Sequence, residues 1–253
     1  MVEVWQLDMA NFDSILAFGE RLKSLSRLDA FLANAGIDVT EYRVVAGWES
    51  ILLVNVIATF LVGLLALPAL QRTQKNFEKD TRLVFTGSVI HIFAKHEYLS
   101  KPPMGQIFKT LNEERKADMA DRYHLSKLID ILLSRELARR MGGAAAVTKK
   151  DYQTIVNCVN PGWCRTDLFR ENDGGFGGRI GLALIGRSSE EGSRTLVHAA
   201  LADRSSHGHY LSECRVKPEG QWVRSEAGIE TGERLWNELA EILEKVAPGV
   251  TRL

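Results

Sequence analysis

The feature that most narrows what this chain can fold into is "ILLVNVIATFLVGLLALPAL", Ile51 to Leu70, which carries no charged side chain. A segment this long and apolar either crosses a bilayer or is buried on nearly all sides within a protein. Asn55, Thr59, Gly63 and Pro68 interrupt it and weaken the spanning alternative. The run therefore reads as a helix enclosed by a soluble core or a dimer interface, and a membrane association is not expected.

A helix enclosed on all sides needs other elements around it, and the flanking sequence supplies them in alternation. "VEVWQL" is β-prone, and "FDSILAFGERLKSL" has apolar residues at helical spacing behind an Asn11 or Asp13 cap. "RLDAFLANAG" reads as a strand ending at Gly36, and "TRLVFTGSV" as another after the apolar helix. A long helix follows from Tyr123 to Met141, where Leu125, Leu128, Ile131, Leu132 and Leu137 recur near helical period and Gly142-Gly143 stops it. "YQTIVNCVNPG" is a strand cut by Pro161-Gly162; beyond a glycine-rich stretch come a helix around Glu190 to Ala202, a β-prone "GHYLSE" and a helix near "GERLWNELAEILEKV". Strands alternating with helices of this length imply an α/β doubly wound parallel sheet. With 253 residues, no linker-like stretch and no repeats, one domain is expected over 1–253.

Thirty-two basic residues balance thirty-two acidic ones, so the basic stripe that nucleic-acid binding requires is not expected. Cys158, Cys164 and Cys214 are odd in number and form no CxxC, which argues against a disulfide framework or a zinc site and for a reducing, cytoplasmic setting. The start lacks the basic-then-apolar pattern of a secretory signal. His207 and His209 have no third ligand at matching spacing, so they read as a surface turn and no metal is expected.

The chemistry concentrates in "YHLSK". Tyr123 and Lys127 are four residues apart on a helix, which puts both side chains on one face. A phenol with a pKa of about 10 is a poor proton shuttle at neutral pH, and a nearby ammonium lowers it by stabilising the phenolate. That spacing alone is weak, since many helix faces carry it.

Four further motifs occur in a fixed order around it: "LANAG", "VNVIATF", "TGSV" and "NPGWCRTD". Together they resemble the short-chain dehydrogenase/reductase family, almost end to end. "IFKTLNEERKADMADRYHLSKLIDILLSRELARRM" and "LWNELAEILEKVAPG" resemble its retinol-dehydrogenase-like members abundant in fungi, some of them in natural-product clusters. The resemblance implies a Rossmann-like fold, NADP or NAD as cofactor, and a small-molecule carbonyl or alcohol substrate, lipid-like or from secondary metabolism. It implies Ser88, Tyr123, Lys127 and Asn55 as catalytic residues. Ser88 would orient the substrate oxygen, Tyr123 would move its proton, Lys127 would act on Tyr123 and hold the nicotinamide ribose, and Asn55 would hold a water. It places Asn34, Ala35 and Gly36 along the cofactor, Asp8 at the adenine, and Cys164, through its backbone, and Thr166 in the loop facing the nicotinamide. Ser88 and Tyr123 lie farther apart than in compact members, and the intervening His91 to Arg122 is expected to form part of the substrate site or its rim.

One family feature is not in this sequence: the strand, T-G-x-x-x-G-x-G turn, helix and second strand that grip the pyrophosphate. "GGFGGRIG" (Gly174 to Gly181) does not replace it, because the glycine required after Gly175 and Gly177 falls on Ile180; the stretch reads as a loop over the substrate pocket. "VEVWQL" would then be the family's third strand left without a neighbour, and "RLDAFLANAG" an apolar sheet edge. The expectation is a chain truncated at its N-terminus, ahead of completion by another polypeptide or a degenerate member, because Asn55, Ser88, Tyr123 and Lys127 are all kept. The alternative is a catalytically silent partner of a complete homologue. The helices at 51–70 and 123–141 resemble those that pair subunits in the family, so a homo-oligomer or heterodimer through them is expected.

Overall fold

The structure, a computed structural model, describes residues 2–142, 152–164 and 186–253. Its centre is a five-stranded sheet of order β1-β4-β5-β6-β7, formed by Ala30–Ala33 (β1), Thr81–Thr86 (β4), Thr154–Asn160 (β5), Tyr210–Ser212 (β6) and Arg215–Lys217 (β7). The first four strands run parallel, with Ala33 opposite Phe85, Phe85 opposite Cys158 and Cys158 opposite Tyr210; β7 turns back antiparallel. A two-stranded ribbon, Val44–Val45 (β2) and Trp48–Glu49 (β3), stands apart.

Side chains leave β4 to alternate faces. Leu83 and Phe85 enter the large core with Phe12–Lys23 (α1), Thr59–Phe77 (α2), Met119–Arg140 (α5) and Glu226–Val246 (α7). Val84 faces a smaller cluster under Ser189–Leu201 (α6), with Leu32, Val159 and Leu211. Helices on both faces of a mostly parallel sheet make the doubly wound arrangement anticipated from the alternation. Asn11 provides the cap of α1, its Oδ1 accepting from the Asp13 and Ser14 amides.

The apolar run is a core helix. Of its most apolar window 89% is buried inside the protein, and Phe60 stacks on Phe85 at 4.3 Å between ring centroids. Its first part, Leu52–Ala58, is π-helical and joins α2 at Thr59, whose Oγ1 donates to the Val54 carbonyl. Glu49 caps this start: its carboxylate accepts from the Ile51 and Leu52 amides, while buried Arg122 stands 3.5 Å away.

Two expectations are corrected. Val2–Leu7 is not a strand. Val2 and Val4 are exposed, and Trp5 packs edge-on against Phe18 under the Arg21 guanidinium; a β-prone run needs a neighbouring strand to bond, and among the described residues β1 pairs only with β4. His207 is not on a surface turn: it is buried, Nδ1 accepting from the Val156 amide and Nε2 donating to the Ala138 carbonyl. The segment His91–Arg122 is anchored to the core at a few positions, with most of its residues partly or fully exposed. Leu99, Ile107, Phe108 and Leu111 are buried, and α7 fastens the short helices Glu97–Ser100 (α3) and Ile107–Leu111 (α4). Glu238 accepts from the Ile107 and Phe108 amides, and Arg234 donates to the carbonyls of Ser100, Pro102 and Pro103.

Packed along α5, α7 inserts Leu235, Trp236, Leu239 and Leu243, while α1 lies against α2. Among the described residues α2 packs on α1 and α5 packs on α7 within one chain.

Candidate active site

The site lies where β1, β4 and β5 end, the edge at which open α/β sheets place ligands. After Ala33 the chain runs through Asn34 and Ala35, both exposed, to Gly36. A Cβ on Gly36 would stand 3.3 Å from Asn55 Oδ1 and 3.9 Å from Lys127 Nζ, so this glycine lets the β1 exit lie directly over both side chains.

Asn55 is fully buried at the π-helical start. Its Oδ1 accepts from the Ile37 amide (2.9 Å), and its Nδ2 donates to the Ile37 carbonyl and to Ser126 Oγ (3.0 Å each). Both amide protons are engaged, leaving one Oδ1 lone pair for a water. The asparagine thereby ties the β1 exit to α5, and the π-turn gives its side chain that direction.

Lys127 is the centre of the arrangement. Its ammonium, almost wholly buried, donates to the Thr86 carbonyl (2.8 Å) and to Asp130 Oδ2 (3.0 Å), and sits 5.8 Å from the centroid of the Tyr123 ring. An ammonium has three protons, so one remains for a further acceptor. Burial pulls the lysine down, and Asp130 and Tyr123 outweigh it, holding the group charged above its ordinary value. Burial pushes Asp130 up to about 6 against the pull of Lys127. Tyr123 lies above its ordinary value: burial raises it, Lys127 lowers it, and Asp38 and Asp130 add to the rise. The lysine acts in the direction anticipated from the spacing, but desolvation is larger.

Ser88 follows β4 and begins the 3-10 turn Val89–Phe93, which packs against α5. His91 holds this turn: Nδ1 donates to the Ser88 carbonyl (2.7 Å) and Nε2 accepts from the Gly220 amide (2.9 Å), which requires a neutral ring, and burial keeps it so by lowering its pKa. Asn160 Oδ1 accepts from the Val89 and Gly162 amides, joining the ends of β4 and β5. Val89, Ile92 and Phe93 are exposed here, and His91, Ile92, Ala94, His96, Trp222 and Val223 line a cavity of about 550 Å³. Within His91–Arg122, His91 bonds the serine directly, at its carbonyl.

The remaining sequence candidates fall in different places. Asn34 Oδ1 accepts from Thr86 Oγ1, joining the β1 exit to the strand whose carbonyl holds Lys127. Asp8 is exposed in the turn before α1, its carboxylate accepting from the Ala10 amide. Cys164 is tucked under α6, Sγ donating to the Pro161 carbonyl and standing 2.2 Å from where a Cβ on Gly192 would be; burial raises its pKa, which fits a backbone role rather than a reactive thiol. Thr166 and the Gly174–Gly181 stretch lie outside the described residues. No group of three or more potential metal ligands occurs among the described residues.

Asp130, Ser126, His91 and the Thr86 carbonyl were not anticipated. "KLID" does carry an i, i+3 lysine–aspartate pair, but only the fold shows that it is buried.

A Lys127 ammonium is thus held beneath Tyr123, with a glycine exit above it and Ser88 on the adjoining strand end, at the carboxyl edge of a Rossmann-like sheet. The comparisons narrow this further. No family model matches the chain. It is 38% identical over 258 residues to the short chain dehydrogenase/reductase dmxR8 of the fungus Cryptosporiopsis sp., covering 99% of this chain and 76% of that protein. The short-chain dehydrogenase/reductase ffsI of Aspergillus flavipes is 32% identical, with 100% of this chain and 73% of that protein covered. Among solved structures, a putative uncharacterized protein from Mycobacterium paratuberculosis superposes with a TM-score of 0.65 at 22% identity, covering 96% of this chain and 76% of that one. The Pseudomonas aeruginosa RhlG/NADP active-site complex superposes at 0.54 with 23% identity, covering 85% and 75%. The chain belongs to the short-chain dehydrogenase/reductase family, a family of NAD(P)-dependent oxidoreductases.

Proposed function

We propose that this chain interconverts a carbonyl and an alcohol with NADP or NAD, on a lipid-like or secondary-metabolite small molecule, as a retinol-dehydrogenase-like member of its family. The observation that carries the reading is the Lys127 ammonium, buried, charged and one proton short of its bonding capacity, beneath the Tyr123 ring. The residues fit the nicotinamide half of such a cofactor. The exposed Asn34-Ala35 exit and the space above Gly36 form its bed, and the third Lys127 proton is placed for a ribose hydroxyl. When bound, the nicotinamide gives or takes the hydride. Ser88 Oγ holds the substrate oxygen, Tyr123 Oη donates its proton on reduction and removes it on oxidation, and Lys127 stabilises the phenolate between the two. Asn55 offers its spare lone pair to a water that links the site to bulk. Asp8 is assigned to the adenine, Thr166 and the Cys164 backbone to the carboxamide. The exposed Val89, Ile92 and Phe93 beside Ser88 support an apolar substrate. All three cysteines are free, which supports a reducing, cytoplasmic setting.

The pyrophosphate half is assigned to a preceding segment, a strand, glycine turn, helix and strand, paired with the open edge of β1 and forming one domain with residues 1–253. Among the described residues β1 is paired on one side, which supports this.

Tyr123→Phe tests the reading: turnover should fall by roughly 10²–10⁴-fold, with cofactor binding, followed by nicotinamide fluorescence, unchanged. Cofactor binding should be strengthened by adding a glycine-turn segment ahead of Val2. Full turnover in Tyr123→Phe, or no binding with that segment present, would overturn it.

A further inference from the structure

The chain buries a carboxylate behind its key lysine, and nothing said so far gives that carboxylate a task. Asp130 lies one helical turn beyond Lys127 on α5 and is 1% exposed. One carboxylate oxygen accepts from Lys127 Nζ at 3.0 Å; the other, Oδ1, is buried with no hydrogen-bond partner. An ionised carboxylate left half-satisfied costs stability, and an apolar residue would pack there more cheaply. The pair is therefore hard to explain by stability. It is also poorly placed for solubility, being enclosed by β4 and β5. The charged and titratable groups that interact with it are Lys127 and Tyr123 on its own helix and the Cys158 thiol on β5, while Asp38 beyond the β1 exit acts on Tyr123. The thiol is pushed up to about 12 by burial, so it stays neutral and cannot take over the charge.

We propose that Asp130 is a positioning residue for the reaction: it clamps the Lys127 ammonium from behind, together with the Thr86 carbonyl, and limits how much of its positive charge reaches the Tyr123 phenol. The clamp uses two of the lysine's three protons and leaves the third directed at the cofactor side. The anion offsets part of the cation's field at the tyrosine. Removing the anion therefore makes the Tyr123–Lys127 pair release a proton at lower pH, whichever of the two gives it up. The inference deepens the oxidoreductase reading and rests on it for the word reaction; the electrostatic claim stands on the chain alone.

The test is the ultraviolet titration of tyrosinate in the chain without cofactor, with Tyr123→Phe subtracting the other four of the five tyrosines. Asp130→Asn should move the Tyr123 midpoint to lower pH by about one unit, the size of one charge acting over several ångströms at the effective dielectric of a protein interior. Asp130→Glu, which keeps the charge, should return the midpoint most of the way. If Asp130→Asn does not fold, Asp130→Ser, which leaves room for a water, is read by the same two outcomes. An unchanged midpoint in a natively folded variant would overturn the proposal and leave Asp130 a core fixture. Loss of the oxidoreductase reading would show differently, as absent turnover in the unmodified chain completed with a glycine-turn segment while the titration shift persists.

Discussion

Gly87 joins Thr86, whose carbonyl holds Lys127, to Ser88, and the structure explains why no side chain stands there. A Cβ on Gly87 would lie 2.7 Å from Cys158 Sγ and 3.5 Å from Ile131 Cγ1. The first distance is well inside contact; the second is ordinary packing. Cys158 is 2% exposed on β5, between β4 and β6, so its sulfur has no open space to enter. Overpacking of this kind costs about 1–3 kcal/mol. Taking about 2 kcal/mol for Gly87→Ala, the Tm of a chain this size falls by roughly 4–8 °C. Cys158→Ala removes the offending atom and alone costs about 1–2 kcal/mol through lost packing. The double variant should then be no less stable than Cys158→Ala, a favourable coupling of about 2 kcal/mol in a urea-unfolding cycle. Additive losses would refute the argument, because they would mean that the glycine is required by its backbone and not by the sulfur facing it.

Two further predictions follow from groups that the fold places across elements. Glu238→Ala removes the acceptor for the Ile107 and Phe108 amides and should cost about 1–2 kcal/mol, with faster proteolysis between α3 and α5 while β4 and β5 keep their hydrogen-exchange protection. Burial lowers the pKa of both His91 and His207 below the ordinary 6.5. As pH falls through that value the unfolded chain therefore takes up two protons that the folded chain refuses, and stability falls. Asp130, raised to about 6, takes up one proton in the folded state and offsets half of this. A net loss of at most about 1.4 kcal/mol per pH unit is expected between pH 6.5 and 5; stability that is flat or rises toward pH 5 would count against the burial of the two imidazoles.

Much of the site was legible because its motifs are local. The Tyr123–Lys127 spacing needs only a helix, Ser88 only a strand end, and Gly36 only a strand exit, and each sits where the pattern indicated. Cross-chain partners were not legible. Asn55 is readable as a polar interruption of an apolar run, but its bonds to Ile37 and Ser126 depend on a π-turn that has no sequence signature here. His207 looked like a turn residue because nothing in "SSHGHY" reports that Ala138 and Val156 close over it.

The sequence by itself determined the alternation of strands and helices, the burial of the Ile51 to Leu70 run and the motifs of the catalytic end, since periodicity and short spacings act within one element. Only the tertiary structure decided the rest. It left Val2–Leu7 out of the sheet, because a strand exists only where a neighbour bonds it. It laid α7 over α5, burying Leu235, Trp236, Leu239 and Leu243 against the chain's own core. It enclosed Asp130 behind Lys127, turning what reads as an ordinary helical ion pair into a buried one. These outcomes depend on which surfaces lose water together, and that is a property of the packed chain rather than of any one segment.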